Sequence, residues 1–164
     1  MESKAKLAGH PIHPMLIVFP LGLLGGAVLL DLISLVRGPF PNMAVASYWC
    51  IFLGVALGVV AAVFGFVDWL AVPRDTRAWR VGLWHGVGNV VVVLLFAGSW
   101  LLRRGDDLSH LPNAGALVLS FSGFLLALVT GWLGGELVHR LGVGVDRGAH
   151  LDAPSSLSGK PAQT

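Results

Sequence analysis

Six side chains that can hold a metal ion or carry charge are set in a very apolar chain: His10, His13, Asp68, His85, Glu136 and His139. Imidazole nitrogens and carboxylate oxygens together make a mixed ligand set that suits zinc or iron. Spacing gives some of them a direction. In "GLWHGVGN" His85 and Asn89 are four apart, and in "ELVH" Glu136 and His139 are three apart, so each pair shares one face of a helix. Glu-x-x-His is the spacing with which metal-binding helix bundles aim two ligands inward. His10 and His13 stand in "GHPIHPM", each followed by a proline. Pro14 suits a first helical turn, where its missing N–H costs nothing, and Pro11 restrains the approach, so this segment is pre-organised. Plainer roles exist for each residue. His139 and Arg140 suit the negative end of a helix dipole. Asp68 can pair with Arg74, Arg77 or Arg80, Asn89 can bond between helices, and His10 can simply be solvated. What favours a function is the gathering of the whole set, because ionisable groups in a membrane are costly and usually face the interior.

The elements that must gather them are long apolar helices. Of 164 residues 55% are hydrophobic and 12% charged, and the mean hydropathy is +0.76. The apolar residues form continuous runs, and about 20 of them span a bilayer. Four runs qualify: residues 14–36, 45–72, 81–102 and 114–138, the second with length to spare for tilt. The first is read as a permanent span, since its core is longer than that of a secretory leader and no small-residue cleavage site follows it. The expectation is an all-α, polytopic transmembrane four-helix bundle over residues 1–145. The loops are "RGPFPN", "VPRDTRAW" and "RRGDDLSHLPN", and a small, polar tail at 146–164 is expected to be disordered. The single Cys50 has no partner in the chain and reads as a buried, inert thiol.

An even number of spans puts both termini on one side. That side carries Lys4, Lys6, Arg74, Arg77, Arg80, Arg140, Arg147 and Lys160, against Arg37, Arg103 and Arg104 opposite. The positive-inside rule then places the termini in the cytoplasm and the chain in the inner membrane, with Trp69, Trp79 and Trp84 at that interface and Trp49 and Trp100 at the other. His10, His13, Asp68, His85, Glu136 and His139 all come to the cytoplasmic end, His85 about 6 Å deeper than Val81 at 1.5 Å per residue. His110 and His150 read as bystanders. Asp31, toward the outer end of its span, reads as structural, bonding to another helix or ending the span near Arg37. Gly22 with Gly26, Gly54 with Gly58 and Gly82 with Gly86 offer small surfaces for close helix packing. A weak repeat pairs His13 with His85 and Asp68 with Glu136, as in a duplicated hairpin.

"GHPIHPM" with "FP" after it, "VDWL", "GLWHG" and "GWLGGELVHRLGVGV" resemble a bacterial membrane family, domain of unknown function 2231, from Gly9 to Val145. The resemblance implies a four-helix membrane domain. Some relatives are joined to Rieske-type iron–sulfur or cytochrome c domains, and the family is distantly similar to membrane cytochromes b. Electron transfer is therefore the leading expectation, with one haem b held by His85 opposite His13 or His139 and with Arg74, Arg77 or Arg80 near the propionates. A quinone, iron–sulfur or cytochrome protein would be the redox partner. The rival is a zinc or iron ion held by His10, His13, Asp68, His85, Glu136 and His139. A third reading is a structural or assembly protein without cofactor. The net charge of +2 and the lack of a basic stripe argue against nucleic acid. No phosphate-binding loop, nucleophile elbow or cysteine pair marks an enzyme.

Overall fold

Pro20 decides how the first span begins. It has no N–H to offer the carbonyl of Leu16, and the helix is interrupted there: α1 runs Ile12–Leu16 and α2 runs Val18–Arg37. The computed structural model describes residues 1–105, 109–158, 160 and 162; the Asp106, Asp107 and Leu108 part of the third loop lies outside the described residues. α3, Pro41–Leu70, opens on a proline at its first turn. α4 is Arg77–Leu102, capped by Thr76, whose Oγ1 accepts the Trp79 N–H at 3.2 Å. α5 is Ala114–Gly135, capped by Asn113 accepting the Ala116 N–H at 2.8 Å, and it continues as a π-helical turn, Glu136–Arg140.

Four helical segments, Ile12–Arg37, Pro41–Leu70, Arg77–Leu102 and Ala114–Arg140, are thus long and apolar enough to cross a bilayer. The all-α, four-span architecture holds. The ends differ from the apolar runs because capping groups set helix ends and hydropathy does not register them. The third helix starts at Arg77 rather than 81 and the second at Pro41 rather than 45. Only 11–28% of the most apolar window of each segment is buried inside the protein. The remaining faces must be covered by lipid, as a membrane bundle requires. In the tail, the described residues run as turns, and Ser156–Ser158 form one 3-10 turn.

A two-stranded hairpin precedes α1, with β1 Lys6–Leu7 antiparallel to β2 His10–Pro11. Its turn residues, Ala8 and Gly9, both have positive φ, 51° and 81°, the backbone that a two-residue hairpin turn demands.

α2 packs on α3, α4 on α5, and α3 on α4, around a core of Leu24, Ala27, Val28, Ile51, Val92 and Phe96. The two helix hairpins are built alike. A Cβ on Gly54 would lie 2.7 Å from Leu24 Cγ and 3.4 Å from Leu23 Cβ; one on Gly123 would lie 3.0 Å from Phe96 Cδ2 and 3.4 Å from Leu95 Cβ. His13 and His85 precede Leu24 and Phe96 by the same interval, and Asp31 and Arg103 follow at the same interval. Corresponding residues therefore make corresponding contacts, which supports the duplicated hairpin. Glycine packing is more selective than spacing suggested. Gly54, Gly58 and Gly82 meet side chains of neighbouring helices, whereas Gly22, Gly26 and Gly86 face open space.

Candidate functional site

The histidine end of the bundle is organised by two equivalent anchors. In the first hairpin the ring of His13 lies between α1 and α3, its Nδ1 2.8 Å from the carbonyl oxygen of Ala61. In the second, His85 Nδ1 lies 2.9 Å from the carbonyl of Thr130. One turn further on, a glycine makes room for each ring. A Cβ on Gly65 would fall 2.9 Å from His13 Cε1, and one on Gly134 would fall 3.1 Å from His85 Cε1. A carbonyl only accepts, so each Nδ1 carries the hydrogen and each Nε2 carries a lone pair. For His85 that lone pair faces the Asn89 amide nitrogen at 3.2 Å. Asn89 also donates to the His85 carbonyl at 2.9 Å and accepts from Thr130 Oγ1 at 3.1 Å. No hydrogen-bond partner of His13 Nε2 is present among the described residues.

The other four expected ligands do other work. Asp68 is saturated by the N-terminal segment: Ser3 Oγ donates to it at 2.7 Å, the Lys4 N–H at 2.7 Å and the Ala5 N–H at 3.2 Å. It pairs with none of Arg74, Arg77 and Arg80 among the described residues. Glu136 pairs with Arg77 at 2.9 Å, joining α4 to the π-helical turn. His139 is exposed on that turn. His10 is exposed beside the tail, its Nδ1 3.2 Å from Ser156 Oγ. Topology does bring all six to one end, but side chains divide them. Among the described residues no three histidine, cysteine or carboxylate groups stand close enough to share an ion. A carboxylate binds whichever donors are nearest, and here these are backbone N–H groups and an arginine. Arg80, expected near a propionate, is exposed at the start of α4, one turn before Trp84.

Around Asp68 the N-terminal hairpin adds ion pairs outside the membrane. Lys6 Nζ lies 2.8 Å from Asp146 and 2.9 Å from Glu2. The hydrogen bond to Asp146, then that to Glu2, raises the Lys6 pKa above its ordinary value. The hydrogen bond from Lys6 lowers that of Glu2.

The opposite end holds a second polar group, which sequence reasoning assigned only in part. Asp31 is structural, as expected, but its partner is Arg103 and not Arg37. The Arg103 side chain is wholly buried and that of Asp31 2% exposed. Nη1 donates to Asp31 Oδ1 at 2.9 Å and Nη2 donates to Oδ2. Ser47 Oγ donates to Asp31 Oδ1 at 2.9 Å, and Arg103 Nε donates to Ser99 Oγ at 3.3 Å. Ser99 passes its own hydrogen to the Ala116 carbonyl at 2.7 Å. Residues from all four spans thus meet in one bonded set. His110 caps it: its Nδ1 lies 3.1 Å from the Arg103 carbonyl, and its ring stacks on Tyr48 with centroids 3.8 Å apart. One signal could have found the pair. Arg103 stands as far after His85 as Asp31 stands after His13, and a carboxylate inside a span needs a cation.

Residues 9–147 match the family described as "Predicted membrane protein (DUF2231)". No curated protein and no solved structure matches the chain. The match covers most of the sequence, and the chain belongs to that family: it is a multi-pass membrane protein with four helical segments long and apolar enough to span a bilayer among the described residues.

Proposed function

We propose that the protein is an electron-transfer module of the cytoplasmic membrane that holds one haem b between His13 and His85. The carrying observation is the equivalence of their anchors, Nδ1 to the Ala61 and Thr130 carbonyls. A backbone carbonyl on one ring nitrogen fixes the tautomer and aims the other nitrogen as a ligand, which is how ligating histidines are usually held. The donor set fits haem, which takes an imidazole on each face. His13 offers an uncommitted Nε2, and His85 offers one that only the Asn89 amide must vacate. Iron so ligated would exchange one electron between its ferric and ferrous states. The chain's own part is to orient both rings, to keep their Nδ1 hydrogens on carbonyls, and to surround the site with apolar helix.

Absorption spectra of protein purified from haem-replete cells, oxidised and then reduced, test it. A Soret band with a sharp α band on reduction is expected, lost in His13→Ala and in His85→Ala. A colourless protein rejects it, and elemental analysis of that protein then distinguishes a zinc or iron site from a metal-free chain. A second reading draws on the Asn89 contact: the histidines only lock each hairpin, in a membrane protein of structural or assembly role. Colourless, metal-free protein destabilised by His85→Ala would favour it.

A further inference from the structure

α4 and α5 leave a groove of about 440 Å³ on the outside of the bundle. Val81, Trp84, Val87 and Val91 line it from α4, and Val129 and Leu133 from α5. The helices come close along its floor, where a Cβ on Gly88 would fall 2.5 Å from Thr130 Cγ2. Its walls lie open, with Trp84 67% and Val129 56% exposed. An apolar channel of this kind on a membrane helix pair accommodates an acyl chain.

The head of the groove is charged. Arg77 and Arg80 sit one turn before Val81 and Trp84, so the stripe of α4 that lines the groove continues into two arginines. On α5 the lining face ends one turn past Leu133 at Glu136, whose carboxylate binds Arg77 at 2.9 Å and ties the two helices at this point. Arg80 and Arg140 are exposed and make no ion pair among the described residues. At this end eight cations, Lys4, Lys6, Arg74, Arg77, Arg80, Arg140, Arg147 and Lys160, stand against six carboxylates, Glu2, Asp68, Asp75, Glu136, Asp146 and Asp152. The surplus is positive and lies where a headgroup would sit, beside Trp84 at interface depth.

We propose that this groove is a binding site for one anionic phospholipid, its acyl chain along Val81 to Val91 and its phosphodiester at Arg80 and Arg77. Any bilayer lipid covers an apolar face without preference. Preference appears where fixed guanidinium groups meet a phosphate that carries net charge, because their fork of N–H donors matches its oxygens. The site is separate from the histidines and does not depend on whether they hold haem.

Native mass spectrometry of the delipidated full chain in detergent, titrated with phosphatidylglycerol or phosphatidylcholine of the same acyl chains, tests it. Phosphatidylglycerol should bind at least about tenfold more tightly. The double variant R77Q/R80Q should bring that ratio near one, and Arg74→Gln, outside the stripe, should leave it unchanged. Val91→Trp, at an exposed position in the groove, should weaken both lipids. Equal affinities in the native chain overturn the proposal. So does a preference that survives R77Q/R80Q, or one that Arg74→Gln reduces equally, which would mark diffuse attraction. If Val91→Trp alters the oligomeric state and leaves lipid binding intact, the groove belongs to a second copy of the chain and the proposal fails.

Discussion

Replacing Arg103 by Met should be the most damaging conservative-volume change in the protein. The guanidinium makes four hydrogen bonds: two to the Asp31 carboxylate, one to Ser47 Oγ and one to Ser99 Oγ. Met fills much of the same volume but supplies no donor. Asp31, 2% exposed, would keep only the Ser47 hydroxyl as a donor. Leaving one charge of a buried pair without its partner costs about 3–5 kcal/mol. Removing both charges should cost much less, since an apolar pair of similar volume in a buried site is often neutral or better. Asp31→Leu with Arg103→Met should therefore recover at least about 2 kcal/mol relative to the single Arg103→Met variant, which makes the two sites strongly non-additive. Reversible unfolding in mixed micelles, followed by far-ultraviolet circular dichroism, gives the four stabilities of the cycle. Additive losses, or a loss below about 1 kcal/mol for Arg103→Met, would refute the claim that this ion pair holds the first and third spans together.

Three further outcomes follow from local geometry. Gly65→Val and Gly134→Val should displace the His13 and His85 rings, at about 1–3 kcal/mol each, and should diminish any Soret band; thermal melts and spectra of the same samples read both. Thr76→Ala removes the α4 cap and should cost about 1 kcal/mol without altering the spectrum, measured by denaturation. The N-terminal hairpin should loosen at both extremes of pH. Its Glu2 pKa is depressed, so that contribution is present above 4.5 and lost as pH falls through the lower folded value. Its Lys6 pKa is raised, so that contribution is present below 10.5 and lost as pH rises through the higher folded value. Limited proteolysis of the first eleven residues across pH, repeated at high salt to screen these exposed pairs, checks the prediction; a flat profile would contradict it.

His13 and His85 were legible because an imidazole in an apolar run is conspicuous and their similar placement hinted at duplication. Asp31 was equally conspicuous, yet its partner was not, because Arg103 looks like an ordinary basic residue just past a span. Asp68 misled for a different reason. Its partners are two backbone N–H groups and Ser3, and backbone donors are the same at every residue, so nothing in the composition points to them. His110 was dismissed as a loop residue, although its stacking on Tyr48 closes the buried ion pair.

What the amino-acid order determined by itself is the set of four spans, their up-and-down threading, and hence which polar residues share an end of the bundle. Those follow from run length and hydropathy, which are local and additive along the chain. Which polar group bonds to which was decided only by tertiary packing. Helix rotation and close approach at Gly54, Gly65, Gly123 and Gly134 set the distances, and hydrogen bonds and ion pairs fail over differences of an ångström that no linear pattern encodes.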